Sequence, residues 1–225
     1  MKLPPWSFSS IKTYDQCPKK YYHLRVAKDF KEDDNKEHLL YGKQFHEAAE
    51  KYIRDGEPLP PQFMFVKGAL DNLNKLPGEK LCEFKMGLKE DLSACGFFDP
   101  DVWWRGVADL IILDEEVGEA RVIDYKTGKS TKYADTGQLE LMALAVFKHF
   151  NTIKKVKAGL LFVIAKEFVK DNYHVDNQEK MWVKWLKDYE KLKSSYANDV
   201  WNPRPSGLCR KHCVVKSCPH NGDNL

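Results

Sequence analysis

No long apolar run interrupts this 225-residue chain, and no stretch approaches the length needed to span a bilayer. The opening "MKLPPWSFSS" lacks the apolar segment of a secretory signal. A cytoplasmic location is therefore expected. Its reducing conditions disfavour a disulfide framework for the six cysteines. There is no internal repeat, no low-complexity tract and no G-x-x-x-x-G-K-[ST] phosphate-binding motif. Neither sign of charge dominates, with 36 Lys and Arg against 33 Asp and Glu. The net charge is +3, so any basic surface must be local. What remains, 43% hydrophobic and 31% charged residues, describes an ordinary globular protein with enough length for a substantial core.

Periodicity divides the chain in three. The front third reads helical: a helix from Ile11 to about Val26 capped by Ser9 or Ser10, a second over residues 37–55, and a third over 61–75. Phe45, Ala48, Ala49, Tyr52 and Ile53 share one face of the second. The period then changes. "KLCEFKMGLKE" (80–90), "WWRGVADLIILD" (103–114) and "ARVIDYK" (120–126) are β-prone runs. A buried helix follows in "DTGQLELMALAVFKHF", then an apolar strand over 156–165 and an amphipathic helix over 178–197. This order predicts an α/β domain with a mixed central sheet wrapped by helices. The chain reads as one domain: a helical part (1–76), an αβ core (77–200) and a Cys-rich tail (201–225) packing on the N-terminal helix.

The chemistry concentrates in "VIDYKTGK" (122–129). Strand side chains alternate, so Asp124 and Lys126 share a face and Tyr125 takes the other. One strand earlier Asp109 interrupts an apolar run. Two carboxylates converging from neighbouring strands repel each other unless a cation lies between them, and hard oxygen donors suit Mg²⁺ or Mn²⁺. Lys126 would orient the hydrolytic water or stabilise charge on a phosphate. The plainer reading is a structural Asp124–Lys126 salt bridge. His46 lies four residues after Gly42 on a helix face, as a metal ligand or a satisfied structural histidine; Gly42 would let another backbone approach. Gln138 follows Asp135 at capping-box spacing or serves the site. Glu83 reads as a solvent-facing residue of an edge strand, with a site-facing acid as the alternative.

In order, G-x-x-x-H (Gly42–His46), G-x-x-D (Gly106–Asp109), D-Y-K (Asp124–Lys126) and Gln138 make this sequence resemble the RecB-like, CRISPR-adaptation-nuclease-like branch of the PD-(D/E)XK nuclease superfamily, which includes phage-type exonucleases. The opening "SFSSIKTYDQCPKKYYHL" is similar to that branch's S-x-S-x-x-x-x-Y-x-x-C-P-x-x-Y-Y. The resemblance implies a restriction-endonuclease-like core, with His46, Asp109, Asp124 and the Tyr125 carbonyl as ligands of Mg²⁺ or Mn²⁺. It makes Asp109, Asp124, Lys126 and Gln138 catalytic, with Gln138 beside the DNA or the nucleophile. Where the family usually has a tyrosine four residues after the glutamine, this chain has Met142.

The resemblance also covers Cys17, Cys209, Cys213 and Cys218, because iron–sulfur members pair one early cysteine with three late ones. Their late spacing is C-x-x-C-x5-C; here it is C-x3-C-x4-C, with His212 in the expected place. Four cysteines suit a 4Fe–4S cluster. Zinc, drawing on His212 or His220, and no metal at all are the alternatives. Lys129 and Lys132 after the third strand, and Lys19 and Lys20 beside Tyr21, Tyr22 and Arg25, are candidate DNA contacts, although the tyrosines also suit a core. The expected activity is a divalent-metal-dependent deoxyribonuclease, an exonuclease in recombination, repair or DNA processing. Its partners would be DNA ends and a helicase, a recombinase or a second copy. The alternatives are an iron–sulfur or zinc DNA-binding module with a vestigial nuclease site, and a hydrolase of another phosphoester.

Overall fold

A computed structural model describes residues 3–33 and 36–224. The chain divides into two compact units, Met1–Asp34 with Val183–Leu225, and Asn35–Trp182.

In the first unit, helix α1 (Phe8–Gln16) starts one turn earlier than expected. Its cap is Ser7, whose hydroxyl accepts from the Ser10 N–H at 3.3 Å while the Ser10 hydroxyl accepts from the Ser7 N–H at 2.8 Å. The single helix expected to Val26 is broken at Cys17, which is extended (φ −163°). Pro18 is the reason: its ring excludes the helical region for the residue before it, yet suits the first position of the next helix. Helix α2 (Pro18–Tyr21) and a π-helical turn (Tyr22–Val26) follow. Tyr21 is buried and stacks on Trp201 with ring centroids 5.9 Å apart, so it belongs to the core rather than to a nucleic-acid surface.

The second unit holds the sheet. Helix α3 (Glu37–Asp55) has the expected bounds and ends on Gly56 in the left-handed conformation (φ +70°). A 3₁₀ turn (Pro61–Val66) leads into α4 (Lys67–Asn74). Strands β1 (Glu79–Leu88), β2 (Ala94–Cys95), β3 (Trp104–Asp114) and β4 (Glu119–Lys126) precede helix α5 (Gly137–His149). Strands β5 (Lys155–Phe162) and β6 (Glu167–His174) come next, then helix α6 (Gln178–Asn198), most of which belongs to the first unit. The strand order is β2-β1-β3-β4-β5-β6; β4 and β5 are parallel and the other pairs antiparallel. This is the mixed α/β sheet expected, with α5 as the crossover that parallel neighbours require. Two strands escaped the sequence reading. β2 has only two residues, and β6 is a polar edge strand with Tyr173 as its buried member.

One face of the inner sheet (Leu110, Ile112, Ile123, Tyr125) packs with Phe45, Ala49 and Ile53 of α3. Helix α5 lies on the opposite face. It sends Met142 over Gly106, where an added methyl would meet the Trp104 ring at 2.4 Å and Met142 at 2.9 Å. Met142 is buried, so the position where the resemblance leads one to expect tyrosine is here a packing residue.

Candidate active site

The site forms where β3 and β4 part. Their pairing runs from Asp114–Glu119 to Leu110–Ile123 and stops one residue short of Asp109 and Asp124. Beyond that point the Tyr125 N–H has no strand partner. The Asp109 carboxylate supplies it instead, with Oδ2 accepting at 2.7 Å. In an extended strand the N–H and C=O of one residue point the same way, so the Tyr125 carbonyl opens onto this gap too. The Lys126 carbonyl turns the other way and accepts from the Val163 N–H at 2.9 Å. Asp109→Ala would leave the Tyr125 N–H without its acceptor, whereas Asp109→Asn keeps an oxygen there. A loss of about 1–3 kcal/mol of stability is expected for the alanine variant and little for the asparagine one, read by urea unfolding in EDTA.

A second irregularity lies on β1. Glu83 has φ +48°, which for a residue with a side chain costs roughly 1–2 kcal/mol. It stands opposite Asp109, at the one rung missing from an otherwise regular β1–β3 register. The twist exchanges the strand's faces: Cys82 packs with the α3 core, but Phe84, two residues on, packs with His149 and Phe150. Alternation therefore misplaces Glu83. Rather than facing solvent from an edge strand, it joins His46 and Asp109 in a group whose ligand atoms all lie within 4.8 Å of one another. This residue was under-read because a left-handed residue inside a strand leaves no trace in a period-two pattern.

His46 Nδ1 is 3.2 Å from Asp109 Oδ1 and 3.9 Å from Glu83 Oε1. Burial works to lower its pKa, but hydrogen bonds to Asp109 and Glu83 and the nearby carboxylate charges outweigh it and push it up to about 10. Without metal, an imidazolium thus sits where carboxylates converge. Gly42, one turn earlier, brings α3 against the Thr127 hydroxyl rather than against another backbone, 3.4 Å from where a methyl would stand.

Asp124, Lys126 and Gln138 form the adjoining group. Lys126 Nζ lies 2.7 Å from Asp124 Oδ2 and donates to Gln138 Oε1 at 3.1 Å, while Gln138 Nε2 donates to Asp124 Oδ1 at 2.5 Å. Gln138 thus joins Asp124 and Lys126 rather than forming half of a capping box: α5 begins at Gly137, and the Asp135 carboxylate accepts from the Gly137 N–H instead. Burial and then the Asp109 charge raise Asp124 to about 6, against the pull of Lys126. Asp124 Oδ2 is buried and, despite the nearby ammonium, has no aligned hydrogen bond. The carboxylates of Glu83, Asp109 and Asp124, the last with its under-satisfied buried oxygen, and one imidazole fit a hard divalent cation.

The other expected residues are not members of either group. Lys129 and Lys132 are exposed on the loop between β4 and α5, and Lys132 Nζ stands 5.3 Å from the ring of Tyr133, itself 86% exposed. Lys20 is ion-paired with Glu32 at 2.8 Å. In the first unit Cys17, Cys209, Cys213 and Cys218 line one cavity of about 170 Å³, with Lys19, His212 and His220 also on its wall.

Comparison with known proteins completes the picture. No curated protein matches the chain. It is similar to a solved structure described as "Crystal structure of SSO0001", at 16% identity and a TM-score of 0.49, over 100% of this chain and 89% of that one. The family model for the PD-(D/E)XK nuclease superfamily matches residues 5–80 and 73–219. That match takes in the split between β3 and β4 and both acidic groups around it: the chain belongs to the PD-(D/E)XK nuclease superfamily.

Proposed function

We propose that this protein is a Mg²⁺- or Mn²⁺-dependent deoxyribonuclease of the RecB-like branch, an exonuclease that hydrolyses phosphodiesters from DNA ends in recombination, repair or DNA processing. The observation that carries the reading is Lys126, held between Asp124 and Gln138 at the mouth of the β3–β4 split, next to the His46–Glu83–Asp109 group. Asp109, Asp124, His46 and the Tyr125 carbonyl would hold the metal, with Glu83 added to the set. A divalent ion bound there supplies charge to the scissile phosphate and a water acidic enough to attack near neutral pH. The protein's own part is positioning: Asp124 and Gln138 fix the Lys126 ammonium, which meets negative charge as it develops on the phosphate or the attacking oxygen. Lys129 and Lys132 contact phosphates, which gives binding that is salt-sensitive and indifferent to sequence.

The cysteines of the first unit form a separate centre in this proposal, a 4Fe–4S cluster. In a zinc tetrahedron, Zn–S bonds of 2.3 Å bring sulfurs to about 3.8 Å from one another. Among the described residues no three cysteine sulfurs lie within 4.8 Å of one another, so the four are not gathered at zinc's spacing. Cys17 Sγ accepts from the N–H groups of Lys20 and Arg204 at 3.5 and 3.4 Å, and Cys209 Sγ from that of Ser206 at 3.4 Å, bonds of the kind that tune cluster thiolates.

One preparation tests both parts. Anaerobically purified protein is incubated with linear single- and double-stranded DNA in Mn²⁺ or EDTA, beside an Asp124→Ala control, after its visible spectrum and metal content are recorded. Degradation in Mn²⁺ alone, lost in the variant, is the expected result, with a brown sample containing iron. Intact but bound DNA in every metal would leave a binding module instead, and a colourless sample containing zinc would overturn the cluster.

A further inference from the structure

The twist at Glu83 and Asp109 has an effect outside the metal site. Past it, Phe84 and Gly106 face α5, so Lys85, Arg105 and Val107 face the other way, on the side from which His46 enters. The cross-strand pairs are Lys85–Val107 and Gly87–Arg105. At about 3.3 Å per residue, Arg105 lies some 13 Å along β3 from Asp109.

Lys85 is exposed, while Arg105 and Val107 are half-buried. Arg105 has a buried Nε without a hydrogen-bond partner. Two aromatic rings close this end. The Arg105 guanidinium carbon stands 5.2 Å from the Phe97 centroid and 5.8 Å from that of Phe98, and Lys85 Nζ is 5.9 Å from the Phe98 ring. Phe98 is nonetheless 76% exposed, a large apolar ring offered to solvent between two cations. The loop also carries Asp99 and Asp101; Asp99 is engaged in the turn itself, accepting from the Asp101 N–H at 2.7 Å.

Resting on the nuclease reading, we infer that this strip of β1 and β3 is a track for single-stranded DNA, with phosphates on Lys85 and Arg105 and a base stacked on Phe98. Cations alone would suit any polyanion. An exposed ring adds a surface that an unpaired base can cover and a duplex, with its bases already stacked, cannot. The substrate class is thus a DNA strand with an unpaired end, laid along β3 toward Asp109.

Fluorescence anisotropy with a labelled oligothymidylate in EDTA reads binding independently of cleavage. Phe98→Ala is expected to weaken it about tenfold, within the range for one lost base–aromatic stack. Phe98→Trp should restore it, and blunt duplex should bind all three proteins alike. Lys85→Gln should reduce the slope of log affinity against log salt by about 0.7, one single-strand phosphate contact. Because Phe98 is largely exposed, thermal unfolding of its variants should match the wild type. Unchanged oligothymidylate binding by Phe98→Ala and Lys85→Gln, or an equal loss on blunt duplex, would overturn the track. A wild type that binds in this way yet cleaves nothing in any metal would overturn the nuclease reading and leave the track standing.

Discussion

Lys126→Gln is expected to lower the single-turnover rate of DNA cleavage in Mn²⁺ by about 10²–10³, with DNA affinity in EDTA changed little. The asymmetry follows from where the ammonium sits. It is about a third exposed at the end of β4, held by Asp124 on one side and Gln138 on the other, so its removal opens no core cavity. One charge among several lysines contributes modestly to ground-state binding, whereas a fixed charge beside the reacting phosphate acts mainly as negative charge develops. Gln138→Ala separates position from charge. It keeps the ammonium but removes the acceptor at 3.1 Å and the donor that holds Asp124 at 2.5 Å, so a smaller loss, near tenfold, is expected. Equal losses in both variants would mean that Gln138 touches the reacting atoms itself. No loss in Lys126→Gln would remove the lysine from catalysis.

Helix α3 and strands β3 and β4 were legible to within a residue or two because apolar residues recur at helical or strand spacing over most of each element. The pairing of Asp124 with Lys126 followed from strand alternation alone. Three features did not follow. The Cys17–Pro18 break is a local steric effect that helical periodicity runs straight through. Strand β6 pairs through its backbone while showing a polar face, so its side chains carry no strand signal. Glu83 was misplaced because its left-handed backbone exchanges the faces of β1, and with them the residues that reach the metal group and the Lys85–Arg105 strip. Gln138 was ambiguous for another reason. Its spacing from Asp135 suited a cap equally well, and only the start of α5 at Gly137 turned it toward Asp124.

Asp124→Asn should make the metal-free protein more stable at pH 7 while lowering its nuclease rate by about 10²–10³. Burial, then the Asp109 charge, holds the Asp124 pKa at about 6 against an ordinary 3.8. An acid whose pKa is higher in the folded state binds its proton more tightly when folded, so its ionisation opposes folding. The penalty is absent below about pH 4, grows as pH rises through 6 and is complete above it, on the order of 3 kcal/mol. Asparagine keeps an oxygen for Gln138 and sheds the buried charge, and Lys126 is exposed enough to turn to solvent. For a chain of this length the relief corresponds to a rise in Tm of roughly 5–10 °C in EDTA at pH 7, and to almost none at pH 4. Added Mn²⁺ should close much of the gap by stabilising the wild type through its carboxylates and the variant less. The same scan decides the reading of the D-Y-K stretch that sequence left open. If Asp124 and Lys126 were a structural salt bridge, Asp124→Asn would lower Tm at pH 7 and metal would not matter. A carboxylate that destabilises its own fold until a cation arrives is kept for the cation.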